Sequence, residues 1–429
     1  MTAPSSRSVA LDAIRRVTDE GAYSNLLIPA LVGRAGLQER DRAFATQLAY
    51  GTLRARLRLD DAIEAVANRP VARITPAALH ALRLGAYQLL ELETPAHAAV
   101  GETVGLVPPR ERAFVNAVLR RLATMPRTPV AGDDDLAVAR RTGLVVWAVT
   151  ELRRVVGGDD VEAAAAALAA KGPLTLRING CRDGAEGLAA ALADAGHPSR
   201  AGDVDARCLV LDGGDPRRLP GFTDGWFAVQ DQASVFVART LGARPGERVY
   251  DACAAPGGKA LAIACDVGPD GLVVAADRAP KRVQLIAGQA ARLGVPAALL
   301  VHDSTRPALR GPFDRVLVDA PCSGLGAARR RPELLWRVQR QDLSRLARQQ
   351  VAIASAAAAL LRPGGRMVYA VCTFPRAETD AAADAIMRHR PELRPVATDG
   401  PDGPEERHRL WPHRHGTDGM FVAAFDAVS

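Results

Sequence analysis

The stretch ERVYDACAAPGGKA, residues 247–260, joins an apolar run of strand length to a loop of small residues and the start of a helix. Runs without polar alternation are typical of strands buried on both faces of a parallel sheet. The pattern therefore predicts a doubly wound, Rossmann-like α/β domain over residues 232–429. Four more such runs follow, with helical segments between them: LVVAAD (272–277), ALLVHD (298–303), RVLVDA (315–320) and RMVYAVC (366–372).

The chain before this domain has a different pattern. Over residues 5–124, apolar side chains recur at helical spacing, and strand-like alternation is absent. Thr75 followed by Pro76 is typical of a helix start, with threonine as the N-cap. We expect an all-α domain over residues 1–126.

Residues 127–231 are expected to form a small α/β subdomain that lies between the other two in sequence. A Pro-, Gly- and Asp-rich break begins at Met125, and a helical pattern then continues to Ala170. After that point the helical spacing gives way to short apolar runs of strand length. A helix is expected between them, near residues 185–195. The candidate strands are LTLRIN (174–179), CLVLD (208–212) and WFAVQD (226–231).

Charge and composition restrict the class of protein. The chain has 429 residues, a formal net charge of +7 and a pI near 9.4. A basic surplus suits a polyanionic partner, but it is a weak indication because an arginine bias also arises from a GC-rich genome. No apolar stretch is long enough to span a bilayer, and the N-terminus lacks the apolar core of a signal peptide. We expect a cytoplasmic monomer without a membrane partner.

The six cysteines are scattered, with no C-x-x-C pair, which argues against a metal site and against a disulfide framework. Free thiols are typical of a reducing cytosol. Cys181, Cys208 and Cys265 are expected to be small buried hydrophobic residues. Cys322 and Cys372 differ because each follows a predicted strand, at the sheet edge where such folds bind ligands. The Pro-Cys-Ser-Gly turn around Cys322 favours an accessible thiol.

The predicted strands also end in acidic residues. Asp277 could accept hydrogen bonds from both hydroxyls of a ribose, and Asp303 could reach an adenine amino group. One acid at a strand end is more often a turn or cap residue, but Asp277, Asp303 and Asp319 end successive strands, which favours nucleoside binding. The small-residue loop at 253–258 allows close backbone approach to a ligand. It is neither a G-x-G-x-x-G fingerprint nor a Walker A loop.

Several long motifs resemble known families. DACAAPGGK (251–259), FDRVLVDAPCSGLG (313–326) and VYAVCTFPRAETD (368–380) resemble the RNA cytosine-5 methyltransferases. DRAFATQLAYGTLR (41–54) and RAFVNAVLRRL (112–122) are similar to the RNA-binding domain of the antitermination factor NusB. Taken together, the order of these domains looks like that of bacterial enzymes that methylate 16S ribosomal RNA.

The resemblance implies both a reaction and roles for residues. It implies transfer of a methyl group from S-adenosylmethionine to carbon 5 of a cytosine, with Cys372 as the nucleophile and Cys322 in product release. Asp319 would lie between the cofactor and the base. Lys259 would support charge on the base or lower a thiol pKa, although a lysine at a helix start is otherwise an ordinary surface residue. The cofactor-binding residues it implies are Cys253, Ala254, Ala255, Pro256, Gly257, Gly258, Lys259, Asp277, Arg282, Asp303 and Asp319.

Other interpretations remain open on the sequence alone. A DNA cytosine-5 methyltransferase performs the same carbon chemistry, but its nucleophile lies in the Pro-Cys turn and it carries a Glu-Asn-Val motif that is absent here, so we expect no DNA partner. Another RNA such as tRNA could be the substrate, and a non-catalytic RNA-binding assembly factor is a further class. The helical domain either adds RNA affinity or is a structural docking domain. The run Arg329–Arg331 is either a solvated charge run or a phosphate contact.

Overall fold

The computed structural model describes residues 4–126 and 130–428 and divides the chain into two compact units. The helical unit comprises Met1–Ala170 and Ala328–Val338, and the sheet unit comprises Lys171–Ala327 and Gln339–Ser429. The domain boundary expected after residue 126 adjoins residues 127–129, which lie outside the described part of the chain.

The N-terminal part of the helical unit consists of helices in succession, as its periodicity predicts. The two sets of apolar side chains that they bury form separate clusters, one around Ile14 and Leu48 and the other around Ile63 and Leu119. The helices are α1 (Ser6–Asp19), α2 (Ser24–Arg34), α3 (Glu39–Ala67), a 3-10 turn (Val71–Arg73), α4 (Pro76–Leu90), α5 (Ala96–Gly105), α6 (Pro109–Thr124), α7 (Asp135–Thr142), α8 (Val146–Val156) and α9 (Val161–Ala169).

Helix α4 begins as the sequence predicts, with Thr75 as the N-cap residue and Pro76 at the first helical position. The threonine does not cap with its side chain, however. Its hydroxyl donates instead to Glu111 Oε1 at 3.0 Å, on helix α6. The fixed φ of proline therefore accounts for the start of this helix, and the hydroxyl joins two helices.

The sheet unit alternates strands and helices. Its strands are β1 (Leu174–Ile178), β2 (Arg200–Ala201), β3 (Cys208–Leu211), β4 (Phe227–Val229), β5 (Arg248–Asp251), β6 (Leu272–Asp277), β7 (Ala298–Val301), β8 (Phe313–Asp319), β9 (Leu361–Val371), β10 (Leu393–Pro395), β11 (Thr398–Gly400), β12 (Gly403–Glu405), β13 (Arg407–Leu410) and β14 (Met420–Ala427). The helices that follow α9 in the chain are α10 (Leu188–Asp194), α11 (Gln232–Leu241), α12 (Gly258–Val267), α13 (Pro280–Leu293), α14 (Leu334–Arg337, in the helical unit), α15 (Asp342–Ala358), α16 (Asp380–His389) and α17 (Pro412–His415).

A small antiparallel sheet precedes the large one, in the order β2-β3-β1-β4. It buries its own apolar cluster, which includes Leu176, Leu209 and Phe227 from three of the strands. The predicted small α/β subdomain is therefore present as a four-stranded sheet with its own core.

The large sheet has the order β10-β14-β9-β8-β5-β6-β7, and β13 pairs with β14. Strands β5 to β9 pair in parallel, which confirms the prediction from their continuous apolar runs. The other end of the sheet is antiparallel, since β14 pairs with β9, β10 and β13 in that sense. These antiparallel strands lie outside the five predicted runs, and their direction depends on how the chain returns to the sheet and not on a local pattern.

Helices cover both faces of the large sheet. In β9, Val368 and Ala370 contribute to one buried cluster, whereas Met367, Tyr369 and Val371 contribute to the other. This alternation of side chains along the apolar last five residues of β9 is the period-two geometry of a strand buried on both faces. The rigid sheet core thus ends directly at the residue before Cys372.

One expectation about the cysteines was wrong. The structure pairs Cys181 with Cys265 in a disulfide, with a Cα–Cα distance of 5.6 Å, so these are not two separate buried thiols. The partners are 84 residues apart in sequence, and it is the packing of α12 near the end of β1 that brings them together. Cys208 is fully buried as expected, and its burial raises the pKa of the thiol to about 12.

The segment Ala328–Val338 belongs to the helical unit, although the residues before and after it in sequence belong to the sheet unit. Glu333 is fully buried there, and its carboxylate accepts hydrogen bonds from the Ser24 amide at 3.2 Å and the Ser24 hydroxyl at 2.6 Å. The Arg56 guanidinium lies over the Trp336 ring at 4.6 Å from its centroid. This segment is therefore an integral part of the helical unit's packing.

Within residues 4–126 and 130–428, no helix combines the length and the apolar character that crossing a bilayer requires.

Candidate active site

The carboxyl ends of the parallel strands lie along one edge of the large sheet, in the order β9, β8, β5, β6, β7. Side chains placed at these ends therefore form a row across the edge. The predicted site residues occur in that row as Cys372 after β9, Asp319 at the end of β8 and Cys322 after it, the 253–258 loop after β5, Asp277 at the end of β6 and Asp303 after β7.

The two cysteines meet at the β8–β9 end of this row. Their Sγ atoms are 3.4 Å apart, although 50 residues separate them in sequence. The hydrogen bond with Cys372 and burial together raise the pKa of the Cys322 thiol. The Gly326 amide donates to the Cys372 carbonyl at 3.0 Å, which joins the two strand-end loops. Of the free cysteines in the described residues, these two are thus singled out by their contact with each other as well as by position.

Lys259 is not the surface residue that a helix-start lysine usually is. Its side chain is 11% exposed, and its Nζ donates to Asp319 Oδ2 at 2.7 Å and to the Ser234 hydroxyl at 3.2 Å. Burial opposes the charge on Lys259, but the Asp319 carboxylate outweighs it, assisted by Cys372 and Asp251, and holds the pKa of the ammonium above its usual value. The site therefore keeps a buried positive charge beside the cysteines.

Asp251, the last residue of β5, is a further acidic group of the site. It is fully buried and accepts a hydrogen bond from the Cys253 amide at 3.2 Å. Burial, together with the negative charge of Asp319, raises the pKa of Asp251 to about 7. Asp251 was not among the predicted site residues, although an aspartate directly after the apolar pair Val249-Tyr250, at the end of a strand, is a signal for it.

The 253–258 loop is held by main-chain hydrogen bonds. The Ala254 amide donates to Ala276 at the end of β6, and the Gly257 amide donates back to Ala254. Gly257 has a φ of +110°, a conformation that favours glycine, and α12 starts at the next residue. The Arg282 guanidinium donates to the Ala255 carbonyl at 2.8 Å and so attaches the loop to α13.

The two acids at the other end of the row differ in their surroundings. Asp277 is buried, and its carboxylate accepts a hydrogen bond from the Ala279 amide at 3.0 Å and pairs with Arg282 at 3.3 Å. Asp303 is exposed, and one of its oxygens accepts bonds from the Thr305 amide and hydroxyl, which lower the pKa of Asp303. Asp303 thus stabilises the turn after β7, as acids at strand ends commonly do. Its second carboxylate oxygen takes no part in these two hydrogen bonds.

Comparison with known proteins identifies the family. A model of the 16S rRNA methyltransferase RsmB/F family matches residues 238–426, and the NusB family model matches residues 4–124. The ribosomal RNA small subunit methyltransferase B of Pseudomonas putida is 33% identical, with 97% of both chains covered. This chain belongs to the RsmB/F methyltransferase family. A Mycobacterium tuberculosis protein named as a methyltransferase is 41% identical, over 97% of this chain and 95% of its own.

Solved structures share the fold of this methyltransferase. The crystal structure of PH0851 superposes with a TM-score of 0.87 at 22% identity and covers 99% of both chains. A methyltransferase homologue from Pyrococcus horikoshii superposes with a TM-score of 0.60 at 23% identity, over 70% of this chain and all of its own. The predicted fold class, a helical NusB-like domain with a Rossmann-like methyltransferase domain, is confirmed.

The cofactor of this methyltransferase is S-adenosylmethionine, and the residues of the sheet edge fit it. A side chain on Gly258 would meet the Gln230 amide at 3.2 Å, so the loop leaves room that only a glycine provides. Gln230 itself is 7% exposed, and its amide nitrogen has no hydrogen-bond partner among the described residues. Carboxylates at Asp277 and Asp303 would supply acceptors for ribose hydroxyls and an adenine amino group.

Two further findings concern residues near the site in sequence. Gln230 and Ser234 lie just before and within the start of α11, in the stretch VQDQAS (229–234), and the sequence pattern did not indicate a role for either. The run Arg329–Arg331 lies in the helical unit, where Arg329 is 6% exposed and Arg331 lies over the Tyr23 ring at 4.9 Å. This run is therefore packed and is not a solvated charge run.

Proposed function

We propose that this methyltransferase modifies carbon 5 of a cytosine in 16S ribosomal RNA, through a covalent bond between Cys372 and carbon 6 of the base. The observation that carries the proposal is the pair of thiols, Cys322 and Cys372, 3.4 Å apart at the ends of adjacent parallel strands. A methyltransferase acting on oxygen or nitrogen has no need of two cysteines in contact, whereas carbon 5 of cytosine must first be activated by a nucleophile.

The chemistry assigns a step to each thiol. Addition of the Cys372 thiolate to carbon 6 breaks the ring's 5,6 double bond and makes carbon 5 nucleophilic. When bound, S-adenosylmethionine supplies the electrophilic methyl group. The proton left on carbon 5 must then go to a base, so that the double bond reforms and the bond between sulfur and carbon 6 breaks. Cys322 acts in this release, and without it the RNA stays attached.

The electrostatics support Cys372 as the attacking thiol. Cys372 is among the groups that raise the pKa of the buried Lys259 ammonium, so a positive charge lies close to its sulfur. The pKa of Cys322 is raised by its hydrogen bond to Cys372 and by burial, so Cys322 keeps its proton at the stage when Cys372 attacks. Since the thiolate is the reactive form, the two environments favour different roles.

Asp319 supports the base in this proposal. Its carboxylate is held at 2.7 Å from the buried Lys259 ammonium and is itself 27% exposed, so it remains accessible from the site. A carboxyl group in that position can hydrogen-bond to N3 or the exocyclic amine of cytosine and stabilise charge that builds on the ring. Lys259 fixes its orientation.

The choice of 16S rRNA is supported by the name of the matching family and of the Pseudomonas putida relative, and the NusB-like helices suit an RNA partner. We expect the enzyme to act in the cytoplasm. Bisulfite sequencing of total RNA with and without this protein tests the substrate. One cytosine in 16S rRNA should lose protection when the protein is absent, whereas loss of protection in tRNA instead would contradict the assignment.

The roles of the thiols are tested by two single substitutions. Cys372→Ala should abolish methylation and form no covalent complex, because no thiol adds to carbon 6. Cys322→Ala should attack normally but fail to release, so a covalent enzyme–RNA complex should build up. The complex is measured as a slowly migrating band on a denaturing gel, after incubation with 16S rRNA and S-adenosylmethionine.

Cys208→Ala is the matched control, since this buried cysteine lies in β3 of the small sheet and should leave turnover and band pattern as in the wild type. If the complex accumulates with Cys372→Ala, the two roles are exchanged. Normal turnover by Cys322→Ala would remove the release role altogether.

A further inference from the structure

A buried polar network lies beside the two thiols, centred on Glu378. This side chain is fully buried in the segment between β9 and α16. Its carboxylate accepts hydrogen bonds from the Ser323 amide at 2.9 Å, the Ser323 hydroxyl at 2.5 Å and the Gln350 side-chain amide at 2.9 Å. Burial raises the pKa of Glu378, against the effect of these donors. A carboxylate in such a place is costly to bury, and it is tolerated because three donors satisfy it.

The network reaches the residues that flank both cysteines. The Gln350 side-chain amide donates to Glu378 and also to the carbonyl of Pro321, the residue before Cys322, at 3.0 Å. Ser323 follows Cys322, and its hydroxyl is 2.6 Å from that of Thr373, which follows Cys372. The network thus holds the Cys322 loop from both sides and ties it to the start of the Cys372 loop.

A second group of bonds orients the amide that faces Glu378. The Tyr369 hydroxyl, in β9, shares its one proton between the Gln350 side-chain oxygen at 3.1 Å and the Glu378 carbonyl at 2.6 Å. Because the amide oxygen is engaged by this donor, the amide nitrogen is directed to the carboxylate. Ser323, Gln350 and Tyr369 are all buried, so water cannot replace a lost partner.

The two cysteines depend on this network to different degrees. Cys372 directly follows Val371, which is paired with Phe421 in the sheet, so the strand ladder holds it. Cys322 lies three residues beyond Asp319, the last residue of β8, in a loop outside the strand ladder, where the side-chain bonds of Ser323 and Gln350 add to the main-chain bonds of Gly326. Loss of the network should therefore displace Cys322 more than Cys372.

We propose that Glu378 is a positioning residue that holds the Cys322 loop against Cys372 and thereby controls release of the methylated RNA. This inference rests on the proposed roles of the two thiols. Glu378 is buried beneath the loops and does not touch the base, so it acts through Cys322. Its loss should slow the step that needs Cys322 while the attack by Cys372 continues.

The test measures release separately from attack. Glu378→Ala should accumulate the covalent enzyme–RNA complex on a denaturing gel, with release slowed about tenfold or more, as the loss of a hydrogen bond to a charged group implies. The initial rate of complex formation should change much less. A merely structural role would lower both rates together. The double variant Glu378→Ala/Cys372→Ala should show no complex.

Two further variants keep the test decisive if Glu378→Ala does not fold, which its melting curve would reveal. Ser323→Ala removes only one hydroxyl and should give the same shift toward trapped complex. Glu378→Gln keeps an oxygen that can accept from the Ser323 amide and from Gln350, and it should restore most of the release. Ser355→Ala is the matched control, because this α15 hydroxyl is buried without a hydrogen-bond partner among the described residues; it should behave as wild type.

Cys322→Ala, run in parallel, separates this inference from the function on which it rests. If Cys322→Ala traps no complex, the proposed roles of the thiols fail, whatever Glu378 does. If Cys322→Ala traps the complex but folded Glu378→Ala and Ser323→Ala release RNA as the wild type does, or lose attack and release equally, then Glu378 is not a positioning residue for release.

Discussion

Asp251 and Lys259 place opposite charges on either side of Asp319 at the centre of the site. Lys259 forms the ion pair with Asp319, whereas Asp251 is fully buried and feels the same carboxylate as a like charge. Burial and that repulsion raise the pKa of Asp251 to about 7. The active site therefore contains one group, Asp251, whose pKa lies in the physiological range, and another, Lys259, that stays charged there.

Asp251→Asn should change how stability depends on pH. The folded-state pKa is about 7, and the unfolded value is about 4. The folded wild type therefore binds this proton more tightly, so its stability is highest below the unfolded pKa, falls as pH rises toward 7 and levels off above it. Asparagine does not titrate, so the variant should lose this fall. Urea unfolding at several pH values between 4 and 8 measures it.

Asp270→Asn, at an exposed position, is the control and should keep the wild-type pH dependence. If the wild type and Asp251→Asn differ by a constant amount across the range, the charge of Asp251 does not titrate between these values.

At the scale of elements, the loops after β8 and β9 are locked together by their backbones. The Gly326 amide donates to Cys372, and the Gly326 carbonyl accepts from the Gly419 amide at 2.9 Å, just before β14. A Cβ on Gly326 would overlap the backbone of Gly419. The antiparallel strand β14, which the sequence did not reveal as such, thus contributes to the shape of the Cys322 loop.

Gly326→Ala should displace the Cys322 loop, because the added methyl group meets main chain that cannot move aside. We expect methylation to fall about a hundredfold, as small misplacements of reacting groups can cost that much. Steady-state methylation of 16S rRNA measures the loss.

Gly288→Ala provides the contrast on α13, where a Cβ would meet nothing within 4 Å. It should leave activity unchanged and add about 0.5–1 kcal/mol to the free energy of unfolding, since alanine is the better helix former. Equal activity of the two variants would show that the Gly326 contact is not needed.

At the scale of the whole molecule, each of the two compact units consists of two segments that are separate in sequence. The helical unit is completed by Ala328–Val338, which directly follows the residues of the Cys322 loop in sequence. The buried Glu333 carboxylate anchors this segment through two hydrogen bonds from Ser24. The helical unit is therefore incomplete without residues that lie far along the chain.

Ser24→Ala should destabilise the helical unit, because the buried Glu333 carboxylate loses its 2.6 Å hydrogen bond from the Ser24 hydroxyl. We expect a loss of about 2 kcal/mol in the free energy of unfolding. Thr52→Val is the matched control, since the Thr52 hydroxyl is buried on α3 without a hydrogen-bond partner among the described residues. Differential scanning calorimetry of the full chain measures both; a melting temperature that falls equally in both variants would contradict the anchoring role.

Local sequence patterns predicted the N-terminal succession of helices, the five parallel strands and the strand-end positions of Cys372, Cys322, Asp319 and Asp277, but not the strands after Cys372. These follow from local periodicity and from turn residues, which act over a few neighbours. The roles of the two cysteines came from the family resemblance and remain proposals.

Only the tertiary structure decided which of these groups touch. It brought together the sulfur atoms of Cys322 and Cys372, the Lys259–Asp319 pair and the network around Glu378, and it paired Cys181 with Cys265. It also set the antiparallel direction of β14. The physical reason is that such contacts join residues tens of positions apart, and they depend on strand order and helix packing, which no local pattern encodes.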